Sequence, residues 1–143
     1  MAGYNKILDF VEQLGLTTHN LNTHTLKVAL VRSTDPIVNT DTILANVTQP
    51  TGTNYAPIDT QNSWAESPAG TGTLTGTKCV FTAGAADWQS FKYVALYNDD
   101  TAVLVDPLIC WWDYGTDLVL GNGETFSVKF NSSDTQGTIL TLT

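Results

Sequence analysis

The two histidines of the chain, His19 and His24, are the side chains best suited to proton transfer or metal binding. They lie five residues apart where a loop is predicted to enter a strand, which departs from the i, i+4 helical spacing of paired metal ligands. No nucleophile elbow, zinc-protease motif, glycine-rich phosphate loop or reactive-cysteine context accompanies them. We therefore interpret both as solvated or hydrogen-bonded loop residues, and we predict that the chain is not an enzyme.

Several acidic residues gather in one predicted turn, where they offer oxygen ligands for a calcium ion. Asn98, Asp99 and Asp100 begin this turn and Asp106 ends it, and calcium binds through several oxygen atoms on a tight loop. Asp and Asn are also ordinary turn residues, because their side chains hydrogen-bond the local backbone. We favour the ordinary turn and predict no cofactor, with the calcium site as the alternative; no motif supports a glycosidase pair of carboxylates.

The two cysteines, Cys79 and Cys110, both fall within predicted strands. They lack the short spacing of a metal or redox motif, and no histidine is close to either in sequence. Cysteine packs as a small hydrophobic residue, so we predict two buried free thiols. A disulfide between them is the alternative, and it requires neighbouring strands in an oxidising compartment.

Four tryptophans are many for 143 residues, and two of them, Trp111 and Trp112, are adjacent in a predicted strand. Successive strand residues point to opposite faces, so the two rings lie on different sides of the sheet. Both are buried if the sheet is covered on each face. Otherwise one of them lies at a subunit interface or forms a platform on which sugars stack.

The elements that position these side chains centre on two strands joined by the acidic turn. Residues 91–98 and 108–114 alternate, and each run offers a nearly complete apolar face. Both runs are rich in aromatic and β-branched residues, which suit a pleated surface. We predict that this pair is the centre of one sheet.

One amphipathic helix is predicted at the N-terminus, over residues 4–14. Tyr4, Ile7, Leu8, Val11 and Leu14 recur at helical spacing and form one apolar stripe, while Phe10 falls outside it and is expected to be partly exposed. The helix either plugs an open end of the β domain or docks on another subunit. The predicted candidate interface residues are Tyr4, Ile7, Leu8, Phe10, Val11, Trp111 and Trp112.

The rest of the chain reads as short strands separated by polar turns, with no alternation of strands and helices. Further strands are predicted at residues 25–32, 55–64, 73–82, 124–130 and 138–143, while residues 42–47 fit either a strand or one helical turn. We predict an all-β fold, an antiparallel β-sandwich that is jelly-roll-like or a flattened barrel, with one short N-terminal α-helix. Residues 1–143 form a single domain, with the helix in 1–16 and the sandwich in 24–143.

Composition and charge exclude several classes of partner. The net charge of −8 argues against nucleic acid and against an anionic membrane surface, because both require a basic surface. The N-terminus lacks the pattern of a signal peptide, and no apolar run approaches the length of a membrane span. A weakly charged, acidic and polar surface is typical of a soluble β domain.

Five segments together resemble a group of small virion proteins of tailed bacteriophages, and the resemblance runs almost end to end. The segments read YNKILDFVEQLG, HNLNTHTLKVALV, FKYVALYND, DPLICWWDYG and LGNGETFSVKF. The resemblance implies a structural protein of the virion that is assembled in the host bacterial cytoplasm. Among such roles we favour a capsid decoration, or cement, protein that binds the major capsid protein on the outer shell.

Decoration proteins of this kind are commonly trimers, so we expect a homo-oligomer and favour a trimer. A component of the tail, bound to a tail protein, or of the head–tail connector is the first alternative. A carbohydrate-binding module for host adhesion is the second, and it would use an exposed tryptophan.

Overall fold

The described residues, 2–132 and 134–143 of a computed structural model, form ten strands, one α-helix and one 3-10 helix. The α-helix, α1, spans Asp9–Gly15, and the 3-10 helix spans Leu44–Asn46. The strands are β1 Asn5–Lys6, β2 Leu26–Arg32, β3 Ile58–Asp59, β4 Ser63–Glu66, β5 Gly72–Gly76, β6 Cys79–Thr82, β7 Phe91–Asn98, β8 Leu108–Leu118, β9 Thr125–Val128 and β10 Gly137–Leu142.

The largest sheet has the antiparallel order β1-β8-β7-β2-β3, with the predicted pair β7 and β8 at its centre. Val94 and Leu96 of β7 point to one face, and Tyr93 and Ala95 point to the other. All four are at most 7% exposed. Both faces of the sheet are therefore covered, as the apolar character of both faces of β7 requires.

Two smaller antiparallel sheets complete the fold. One has the order β10-β5-β4, and the other consists of β6 and β9. Buried residues of all three sheets belong to one hydrophobic cluster, which includes Leu74 of β5, Phe81 of β6 and Leu96 of β7. The prediction of an all-β, sandwich-like antiparallel fold with one short helix is confirmed.

Both cysteines are buried free thiols, as predicted. Cys79 lies in the two-stranded sheet and Cys110 in the central sheet. Burial raises the pKa of the Cys79 thiol to about 11, and it raises the pKa of Cys110 as well. Neither thiol therefore has the accessible, ionised character that a reactive cysteine needs.

The predicted N-terminal helix begins too early. Its first residues form β1, in which Asn5 pairs with Trp111 and Lys6 pairs with Cys110, and α1 begins only at Asp9. An edge position beside β8 satisfies the backbone of these residues, which local helical periodicity does not reveal. Residues 1–16 therefore contain the edge strand β1 of the central sheet as well as the helix.

Two other predicted strands have different bounds in the structure, and residues 42–47, which fit a strand or one helical turn, take the helical alternative. Residues 73–82 form two strands, because the backbone N–H of Thr77 donates to the carbonyl of Thr60 between them. Residues 42–47 contain the 3-10 turn, and residues 55–64 contribute β3 and the start of β4. Both β3 and β4 lie at sheet edges.

Candidate functional site

The N-terminal segment has an apolar side that faces solvent. Leu8 is 54% exposed, Val11 55% and Leu16 62%. Leu8 and Val11 are three residues apart and share one side of α1, and Leu16 follows its last turn. We call these three residues the apolar helix face.

The opposite side of the segment is anchored in the core. The backbone N–H of Ile7 donates to the carbonyl of Ile109, with an N···O distance of 3.2 Å, and Ile7 is fully buried. Phe10 is 3% exposed, and its ring lies 5.2 Å from the ring of His19. The apolar helix face is therefore held in place by the residues behind it.

Burial in α1 is the reverse of the predicted stripe. Phe10 was expected to be partly exposed and is buried, whereas Leu8 and Val11 of the predicted stripe, both candidate interface residues, face solvent. Because β1 fixes the chain up to Lys6, the helix starts with a different rotation from the one that a helix over residues 4–14 would have. Ile7 and Phe10 are thus core residues and offer no surface to a partner.

An aromatic groove of about 290 Å³ lies beside the central sheet. Three ring contacts organise it: Tyr4 with Trp112 at 6.1 Å, Trp112 with Phe130 at 5.9 Å, and Tyr114 with Phe126 at 5.5 Å. Ring pairs at such distances and in edge or tilted orientations are favourable. The name aromatic groove refers below to the space that these five side chains line.

The two adjacent tryptophans lie on opposite faces of β8, as predicted. Trp111 opposes Ala95, and its ring meets Tyr93 edge-on at 5.9 Å, while Trp112 opposes Val94 and lines the groove. Both are half-buried and pack against the core. Neither is a fully exposed platform, and of the two only Trp112 lines the groove.

The predicted acidic turn is a loop whose carboxylates bind protein groups. The Asp99 carboxylate is 2.5 Å from the Lys27 ammonium, and Asp100 accepts the backbone N–H of Thr25 at 2.6 Å. That bond lowers the pKa of Asp100, whereas burial raises the pKa of Asp106. In residues 2–132 and 134–143, no three His, Cys, Asp or Glu side chains gather as metal ligands.

The same loop carries two exposed valines that the sequence analysis passed over. Val103 is 93% exposed and Val105 is 65% exposed. They stand out because both are apolar side chains that lie largely exposed at a loop tip. We call residues 99–107 the valine loop.

The two histidines meet at one buried amide. The Asn98 Nδ2 atom lies 3.1 Å from Nδ1 of His19 and 2.9 Å from Nδ1 of His24, and Asn98 is fully buried. His19 is 4% exposed, and its burial, with His24 nearby, lowers its pKa to about 4. The prediction of hydrogen-bonded histidines agrees with this geometry, but the contact with Asn98 spans more than 70 residues and has no local signal.

Comparison with protein-family models, curated proteins and solved structures gives no match to this chain. In the described part of the chain, no helix has the length and apolar character needed to span a membrane. The apolar helix face, the aromatic groove and the valine loop are the surfaces from which a function is argued below.

Proposed function

We propose that this chain is a non-enzymatic structural protein of a tailed-bacteriophage virion that decorates the outer surface of the capsid. Its partner is the major capsid protein, and its role is to stabilise contacts between capsomers. The observation that carries the proposal is the apolar helix face, in which Leu8, Val11 and Leu16 are all more than half exposed. The end-to-end resemblance to small virion proteins supports the same role.

Anchoring makes the apolar helix face suitable for docking. The buried side chains of Ile7 and Phe10 anchor the segment in the core, and β1 pairs with β8 of the central sheet. A surface that is already ordered loses little conformational entropy on binding, so more of the contact energy appears as affinity. Each contact on a shell can be weak, because repeated contacts add through avidity.

The charge of the chain fits a soluble protein that binds a larger assembly. With 6 basic and 14 acidic residues, the chain has a net charge of −8, which favours solubility. Encounter with a basic patch on a shell would be accelerated by the same charge and slowed by added salt. Shell binding should therefore weaken as the salt concentration rises, in addition to its dependence on the apolar helix face.

Two kinds of measurement test the proposal: the copy number and location of the chain in virions, and its binding to capsids. Quantitative mass spectrometry of purified virions should give hundreds of copies per particle, and cryo-electron microscopy should locate them on the shell. A few copies at the tail would support a tail or connector component instead. Absence from the particle would exclude every virion role.

A matched pair of variants tests the surface. Leu8→Asp should weaken binding to capsids that lack the protein by about tenfold or more, because it places a charge in an apolar contact. Val119→Asp is the control, since Val119 is also exposed, at 61%, but lies far along the chain from the N-terminal segment. Equal binding by both variants would exclude the apolar helix face as the docking surface, provided that both have the wild-type unfolding midpoint.

A further inference from the structure

The aromatic groove is an apolar site with a basic edge. Lys129 is the one charged side chain that lines it among the described residues, and its ammonium is 2.6 Å from the Asp134 carboxylate. Lys78 binds the same carboxylate at 3.1 Å. Two ammonium groups share one carboxylate, so this edge has a positive excess on a chain whose net charge is −8.

The valine loop has the complementary character. Its tip presents Val103 and Val105, and its flanks carry Asp99, Asp100 and Asp106. The bonds of Asp99 to Lys27 and of Asp100 to Thr25 fix the base of the loop and leave the tip projecting. An apolar tip between carboxylates is complementary in charge to an apolar groove beside ammonium groups.

The loop does not occupy the groove of its own chain. The loop precedes Leu108, and the groove lies further along the same strand, at Trp112 and Tyr114. Trp112 and Tyr114 follow Leu108 by four and six positions, which is about 13 and 20 Å at the ordinary rise of a strand. Because Val103 is 93% exposed in its own chain, a loop tip that enters a groove would be that of a second molecule.

We propose that the valine loop of one copy inserts into the aromatic groove of a neighbouring copy, so that the chain assembles head to tail as a homo-oligomer. The contact joins two different patches, and such heterologous contacts close into rings when the rotation between copies allows it. The inference does not depend on the capsid role, because it leaves the apolar helix face free for another partner.

The first experiment measures the mass of the purified protein by light scattering and sedimentation over a range of concentrations. The wild type should form oligomers that dissociate on dilution. Val103→Asp should weaken this association at least tenfold, because it places a carboxylate in an apolar groove. Val119→Asp, at a comparably exposed valine away from the loop and the groove, should associate like the wild type.

Mixing two defective variants tests the head-to-tail geometry. Val103→Asp damages the loop but keeps the groove, whereas Lys129→Glu reverses the groove charge but keeps the loop. Each variant alone should stay monomeric, and an equal mixture should form a species of two chains, since only one intact contact is then available. A mixture that stays monomeric, or that regains the wild-type mass, would overturn the head-to-tail contact.

Other outcomes also overturn the proposal. A wild type that is monomeric at millimolar concentration has no such contact. If a panel of soluble oligosaccharides shifts tryptophan fluorescence in that monomer and Trp112→Ala abolishes the shift, the groove binds sugars instead. Leu8→Asp separates this proposal from the capsid role, because it should leave the oligomer intact while it weakens shell binding.

Discussion

At the scale of single residues, Asn98 determines how the two histidines are protonated. Its Oδ1 atom accepts the backbone N–H of Asp100 at 3.1 Å, so its Nδ2 atom faces the rings and donates to both. An imidazole that accepts at Nδ1 carries its proton on Nε2. The structure thus assigns the same tautomer to His19 and His24.

This assignment can be checked by NMR. At neutral pH, long-range proton–nitrogen spectra should show both rings with the proton on Nε2. Asn98→Leu should remove the Nδ2 donor that both Nδ1 atoms share. The free energy of unfolding should fall by about 2–4 kcal/mol as a result. A proton on Nδ1 of either ring in the wild type would show that the amide is oriented the other way.

His19 also makes stability depend on pH. Its pKa in the folded chain is about 4, below the value of about 6.5 in an unfolded chain, because burial disfavours the charged ring. Between these values the unfolded state binds more protons. The contribution of His19 is therefore complete above pH 6.5 and is lost progressively as the pH falls toward 4.

Urea unfolding at pH 7.5 and at pH 5.0 measures this effect. The wild type should lose more stability over this range than His19→Gln, whose side chain does not titrate, and the difference should be at most about 2 kcal/mol. Because each protein is compared with itself at two pH values, the part of the stability change that the substitution causes at every pH cancels. Equal losses in both proteins would contradict the assigned role of His19.

At the scale of elements, the sequence predicts strands well where both faces are buried. The bounds of β7 agree with the prediction at both ends, because its alternation and its flanking turn residues point to the same structure. The prediction fails at the N-terminal segment, because Tyr4, Ile7 and Leu8 fit a helical spacing. The same residues also fit the edge position that pairing with β8 provides. Pairing between distant strands has no signal in a local window.

The candidate site was also only partly predictable, because contacts between distant parts of the chain have no local signal in the sequence. Leu8, Val11 and Trp112 were predicted as surface contacts, and the structure leaves them exposed or lining a groove. The groove itself was not predictable, because Tyr4, Trp112 and Phe130 come from three distant parts of the chain. The two valines of the loop were visible in the sequence as apolar residues within an acidic turn, and that contrast was the missed signal.

Close packing at the start of β10 gives a prediction for one glycine. A Cβ atom at Gly137 would lie 2.4 Å from the backbone carbon of Phe130, so the backbone itself would have to move. Gly137→Ala should lower the free energy of unfolding by about 2–4 kcal/mol, measured in urea. It should also distort the aromatic groove, because Phe130 lines it.

Gly15, the last residue of α1, is the matched control for that substitution. Nothing lies within 4 Å of a Cβ atom there. Alanine is a better helix former than glycine, so Gly15→Ala should leave the stability unchanged or raise it by about 0.5 kcal/mol. Similar losses in the two variants would mean that the contact between Gly137 and Phe130 is looser than the structure has it.

At the scale of the whole molecule, the question is whether the three sheets unfold together. Buried residues from all of them form one cluster, in which Cys79 is 1% exposed and Cys110 is fully buried. A shared core couples the small sheet of β6 and β9 to the central sheet, so opening one removes contacts from the other. The two thiols report on the two sheets separately.

Thiol labelling measures this coupling with the two cysteines that the chain already has. In Cys79→Ala and Cys110→Ala variants, the one remaining thiol should react with a disulfide reagent only through global unfolding, so the opening free energy from labelling should match that from urea unfolding of the same variant. If Cys79 reacts at a much lower opening free energy than Cys110, the two-stranded sheet opens by itself. In that case Phe126 of β9 would leave the aromatic groove during local opening, and the site would be less ordered than its packing indicates.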